Sequence, residues 1–87
     1  MVNNFLLQHF GDRIRQLRTQ LNLSQERLSE ITGFHRTYIG MIERGERNIS
    51  LTNIIVFAKA FDLSIDELLK FNNAKELQKL YKFKCEE

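Results

Sequence analysis

Arginine, not lysine, carries the positive charge in the first half of this chain. All seven arginines (Arg13, Arg15, Arg18, Arg27, Arg36, Arg44, Arg47) precede residue 50, and all six lysines (Lys59, Lys70, Lys75, Lys79, Lys82, Lys84) follow it. A guanidinium is a planar fork that can bond two acceptors at once, on a phosphate or on the O6 and N7 edge of guanine. A lysine ammonium is a solvated point charge. The first half thus reads as a recognition surface and the second as a soluble support. Other chemistries lack their residues. His9 and His35 with the single Cys85 have no zinc spacing. No glycine-rich phosphate loop or serine nucleophile elbow occurs, so no catalytic residue, metal or cofactor is expected and an enzyme is not the reading. Cys85 can form no internal disulfide and reads as inert.

The elements that must position these arginines are helical. The chain has 87 residues, 43% hydrophobic and 28% charged, with a net charge of +2, no proline and four glycines. That is one domain, neither a disordered tail nor a membrane protein. Freedom from proline favours helices over an assembly of hairpins. No apolar run approaches the roughly 18 residues of a membrane span, and no basic leader precedes an apolar core, so no secretory signal is expected. A core this small is usually marginal, and a partner chain would help it.

Five helices are expected. From Asn4 to Leu21, Phe10, Ile14, Leu17 and Leu21 form one stripe. Arg13, Arg15 and Arg18 lie off it or at its edge, and Asn22 tolerates the left-handed turn at the helix end. Ser24 then offers an N-cap to a short second helix with Leu28 and Ile31 inward. The third runs from about His35 to Glu43. Ile39 and Ile42 face inward, and Thr37, Met41 and Arg44 lie on the opposite face. After a polar loop, the fourth covers Leu51 to Phe61 with Ile54, Phe57, Ala58 and Phe61 inward. Ile55 and Val56 make it apolar nearly all round, as in a helix covered on several sides. Ser64 and Glu67 form a capping box for the fifth, which carries Ile65, Leu68, Leu69 and Phe71. The domain is drawn at residues 1–71. Residues 72–87 form a tail or short extra helix, with Leu77, Leu80 and Tyr81 at helical spacing.

The informative unit spans about residues 25–44. Two short helices flank a tight turn. Ser29 is small where they must approach, Gly33 supplies the positive φ, and Ile39 and Ile42 lock the second helix onto the first. This is helix-turn-helix spacing, in which the second helix enters the DNA major groove.

Over residues 8–70 the sequence resembles the Cro/C1-type (XRE) helix-turn-helix regulators. The resemblance rests on Arg-Gln-Leu-Arg (15–18), Leu-Ser-Gln-Glu (23–26), Ile-Glu-Arg-Gly (42–45) and the stretch from Ala58 to Leu69. The runs His35-Arg36-Thr37-Tyr38-Ile39 and Glu43-Arg44-Gly45-Glu46-Arg47-Asn48 are similar to restriction–modification controller proteins. The resemblance implies a five-helix lambda-repressor-like domain in the cytoplasm of a bacterium or phage-infected cell, associated with the nucleoid. It also implies an autoregulatory homodimer on its own promoter, activating with one operator filled and repressing when a second dimer binds.

The same resemblance assigns roles. Gln25 would bond a phosphate beside a helix N-terminus. Arg36 would fork onto guanine, and Thr37 would touch a thymine methyl or a phosphate. His35 would contact backbone or cap the helix. Tyr38 would donate to phosphate or pack. Met41, where a polar residue is common, would give an apolar and loosely specific contact. Arg44, Arg47 and Asn48 would complete the DNA surface, with Arg47 and Asn48 gripping phosphate and Ser50 and Thr52 adding to it. Arg18 and Glu43 would form a structural salt bridge. Glu26 and Glu30 read first as a solvated acidic face, and they match positions that touch the RNA polymerase sigma subunit in activating members.

One recognition helix reads too few base pairs to find a site in a genome, so two modules on a palindrome are expected. Ile55, Val56, Leu69 and Phe71 are the expected dimer interface. The alternatives are a phage-type repressor or antitoxin, which neighbouring genes would distinguish, and a protein-interaction adaptor on the same scaffold. The adaptor would lack salt-dependent binding to duplex DNA.

Overall fold

The computed structural model describes residues 4–70, and five α-helices make up its regular structure: α1 Asn4–Gln20, α2 Gln25–Thr32, α3 Arg36–Glu43, α4 Leu51–Ala60 and α5 Ile65–Leu68. The all-α expectation holds. Helix α1 packs on α3, α2 packs on α3 and α4, and α4 packs on α5. The expected tail over 72–87 and Phe71 lie outside the described residues.

Two of the helix joints use one local device. At Asn22-Leu23-Ser24 and again at Asp62-Leu63-Ser64, a polar residue adopts a left-handed φ, 58° at Asn22 and 57° at Asp62. The N–H of the next leucine then reaches back to a carbonyl five residues earlier, Leu23 to Arg18 at 3.0 Å and Leu63 to Ala58 at 2.9 Å. This closes a Schellman end. The serine that follows caps the next helix: Ser24 Oγ accepts from the Arg27 N–H at 2.9 Å, and Ser64 Oγ from the Glu67 N–H at 3.4 Å. Glu67 completes a capping box by accepting from the Ser64 N–H at 2.9 Å. That backbone donor is the main reason its carboxyl sits below the ordinary glutamate range. Helix α5 has only four residues, so these caps and two bonds from α1 define it. Arg13 donates from Nε to the Leu68 carbonyl at 3.1 Å and from Nη2 to that of Glu67 at 2.8 Å.

Phe10, Ile14, Leu28, Ile39, Ile42, Phe57, Ala58, Phe61 and Leu68 form one core that draws on all five helices. Two expected inward residues are corrected. Helix α1 stops at Gln20, so Leu21 falls in the turn and is 54% exposed. Ile31 is 43% exposed because α2 makes just over two turns and only Leu28 lies fully on its buried side. Helix α3 starts one residue later than expected, with His35 as its cap, and α4 ends at Ala60 with Phe61 as its C-cap. Where α1 crosses α3, Gly11 lets the backbones meet. A Cβ there would stand 2.6 Å from the Glu43 carbonyl oxygen and closer still to that of Ile42.

Beside this crossing lies the expected salt bridge. Glu43 is buried, with a side chain only 4% exposed. Arg18 donates to it twice, Nε to Oε2 at 2.6 Å and Nη2 to Oε1 at 3.1 Å, and spends Nη1 on the Leu23 carbonyl at 2.7 Å. Gln25 Nε2 adds a third bond to Glu43 at 3.1 Å. One carboxylate thus ties α1, the start of α2 and the end of α3. Arg18→Ala would leave that carboxylate buried without its counter-charge, and urea denaturation is expected to show a loss of about 3–5 kcal/mol. The double change Arg18→Met with Glu43→Leu should recover much of it. Equal losses in both variants would show that the charge pairing is not what matters.

Candidate nucleic-acid interface

The turn between α2 and α3 is built by small polar side chains. Gly33, at φ 82°, ends α2 with its N–H on the Ser29 carbonyl at 2.8 Å. Ser29 Oγ donates to the Phe34 carbonyl across the turn. Thr32 Oγ1 donates to Leu28 O at 2.9 Å and accepts from the Phe34 N–H at 3.1 Å. The backbone groups of this part-buried corner are thereby bonded within the turn itself. Serine at 29 is therefore a bonded group, beyond the small spacer that its position suggests.

Helix α3 opens directly from this turn. His35 Nδ1 accepts from the Thr37 N–H at 3.0 Å, so His35 caps the helix. Ile39 and Ile42 are fully buried on one side, and His35, Arg36 and Thr37 are exposed on the other at the leading turn. Met41 is half-buried one turn on. The helix is thus fixed by its back, with its first side chains exposed, an arrangement suited to phosphates and base edges.

Tyr38 belongs to the support. Its hydroxyl accepts from Asn53 Nδ2 at 2.9 Å, which joins α3 to α4. Its ring meets Phe34 edge-on at 5.0 Å, and Phe34 continues to Phe57 at 5.2 Å. Arg47 Cζ lies 5.6 Å from the Tyr38 ring centroid, which stacks that guanidinium beside α3. Arg36, Thr37 and Arg47 are exposed, Arg47 against Tyr38, while Gln25 is half-buried and bonded to Glu43. Asn48 and Thr52 are exposed in the following loop and first turn of α4. Ser50 caps α4 by accepting from the Asn53 N–H at 3.2 Å. Arg44 is exposed but paired with Glu46, and that bond raises its pKa and lowers that of Glu46. Among the described residues no carboxylate pairs with Arg36 or Arg47.

Sequence reasoning missed Asn53, Phe34 and Arg13 as supports. Each acts across long chain separation, so periodicity carries no sign of it. The expected dimer residues divide. Ile55 (47% exposed) and half-buried Val56 line a groove with Ile31, Thr32, Lys59 and Ala60. Leu69 packs against the core and lines a separate groove with Leu7, Phe10 and Ile54.

With this geometry in place, the relatives are informative. A helix-turn-helix family model matches residues 14–68. Control protein C.SmaI of Serratia marcescens is 48% identical over 68 residues, covering 78% of this chain and 81% of the relative. The crystal structure of the restriction-modification controller protein C.AhdI from Aeromonas hydrophila superposes with a TM-score of 0.69 at 50% identity, over 71% of this chain and 94% of that one. The controller C.Esp1396I, solved as a tetramer in complex with its natural 35 base-pair operator, matches with a TM-score of 0.69 at 30% identity, over 85% and 96% of the two chains. The chain belongs to the helix-turn-helix family of Cro/C1 type, among the relatives of the restriction–modification controllers.

Proposed function

We propose that this chain is a sequence-specific DNA-binding regulator of transcription that acts as a homodimer on a palindromic operator and controls a restriction–modification system. The observation that carries this reading is the exposed leading turn of α3, with Arg36 and Thr37 outward while Ile39 and Ile42 are buried behind them. The operator-bound tetramer of C.Esp1396I and the control protein C.SmaI support it. Arg36 reads guanine and Thr37 a neighbouring base or phosphate. Gln25, Arg47, Asn48 and Thr52 grip the backbone, while His35 and Tyr38 hold the helix. Met41 adds an apolar contact. Half-sites then lie about 34 Å apart. In this reading the protein regulates its own promoter and works in the cytoplasm.

Ile55 and Val56 form the centre of the dimer contact in this reading. Both sit on α4 beside exposed Ile31, an apolar patch that a second copy would cover. Leu69, in its separate groove, is left to the fold. Glu26 and Glu30, exposed on α2, form an acidic face for the sigma subunit of RNA polymerase, with Arg27 bonded to Glu30 at 3.2 Å.

Footprinting on DNA upstream of the coding region is expected to show a protected palindrome. Arg36→Ala should cost about 1–3 kcal/mol at one specific base pair per half-site, whereas Arg47→Ala should weaken all sequences evenly and reduce the salt slope by about 1. A pure sample that ignores every duplex at low ionic strength would end this reading in favour of an adaptor. Ile55→Asp should shift the sedimentation coefficient from dimer to monomer; an unchanged value would remove α4 from the interface. Charge reversal at both Glu26 and Glu30 should abolish activation in a reporter strain while operator affinity is retained. Unaltered activation would dismiss the sigma contact.

A further inference from the structure

Arg44 stands at the end of α3, at the edge of the proposed DNA surface, and it is already occupied. Its Nε donates to Glu46 Oε2 at 2.9 Å and its Nη2 to Glu46 Oε1 at 3.2 Å. This two-point fork is the geometry in which a guanidinium takes a phosphate. The arrangement is held by its surroundings. The Glu46 N–H donates to the Met41 carbonyl at 2.9 Å, so the backbone turns Glu46 back onto the helix end. Arg44 in turn lies over Gly40. A Cβ at Gly40 would stand 3.1 Å from Arg44 Nη1 and 3.7 Å from Gln25 Oε1, so the glycine leaves room for the guanidinium to rest against α3 beside Gln25.

The pair contributes little to folding, because both side chains are more than half exposed, at 57% and 52%. Among the described residues, Arg36 and Arg47 face solvent without an acidic partner, whereas Arg44 does not.

We propose that Glu46 is a built-in phosphate mimic: its carboxylate holds the two positions on Arg44 that a DNA phosphate would take, and so limits sequence-independent affinity. The inference rests on the DNA-binding reading above and deepens it. While Glu46 occupies Arg44, that arginine neutralises no phosphate and displaces no condensed cation from the DNA, so it adds almost nothing to the salt dependence. Without the carboxylate, Arg44 neutralises a phosphate and the DNA releases that cation.

The test uses the full chain, its operator fragment and an unrelated duplex of equal length. Glu46→Gln should tighten binding to both by about two- to fivefold, the scale of an exposed ion pair. The slope of log K against log salt should steepen by about 0.9. In an Arg44→Ala background the same substitution should change neither quantity. A gain that persists without Arg44 would mean that Glu46 only repels DNA at a distance, and that overturns the proposal. An unaltered affinity and slope in Glu46→Gln, with its melting curve intact, overturns it as well. A wild-type protein that binds neither duplex is a different failure, and it would remove the DNA-binding reading first.

Discussion

One buried carboxylate organises this domain. Glu43 lies where α1, α2 and α3 converge, and it accepts from Arg18 twice and from Gln25 once. A charge in that position is tolerated only because its partner is equally well placed and its lone pairs are filled. The consequence is geometric. Arg18 is spent on α1, on the end of the first turn through Leu23, and on α3. The crossing of α1 on α3, made close by Gly11, and the position of Gln25 at the head of α2 follow from that one node.

The same economy of polar groups appears in the motif. The α2–α3 corner contains no long loop, and its backbone groups are bonded by Ser29, Thr32 and the Gly33 N–H. His35 then fixes the start of α3, and Tyr38, bonded to Asn53 and packed on Phe34, fixes its flank. A helix of eight residues has little stability of its own, so its orientation comes from these tertiary bonds and from two buried isoleucines. The leading residues are thus presented by a well-bonded support, and such a support lowers the entropic cost of fixing side chains in a complex.

The arginines divide by role once the fold is known. Arg13 and Arg18 are structural, the first holding a four-residue helix and the second a buried carboxylate. Arg27 and Arg44 are paired on the surface, while Arg15 on α1, Arg36 at the head of α3 and Arg47 beside it are exposed. A clustering that reads uniformly as a recognition surface therefore contains three different uses of one side chain. What separates them is the neighbour each one meets.

Apolar spacing and local capping chemistry were legible without coordinates. Leu28, Ile39, Ile42, Phe57 and Ala58 fall on the buried sides that their periodicity implies, and Ser24, Gly33 and Ser64 end or begin helices as their types require. These signals depend on chemistry within about one helical turn, which the order of residues carries directly. Tertiary structure decided the rest. It exposed Leu21 and Ile31, joined Gln25 to Glu43, set Tyr38 against Asn53, and placed Leu69 in a different groove from Ile55 and Val56. Each of those outcomes depends on which distant segment a side chain meets, and that is set by the packing of whole helices rather than by any residue's near neighbours in the chain.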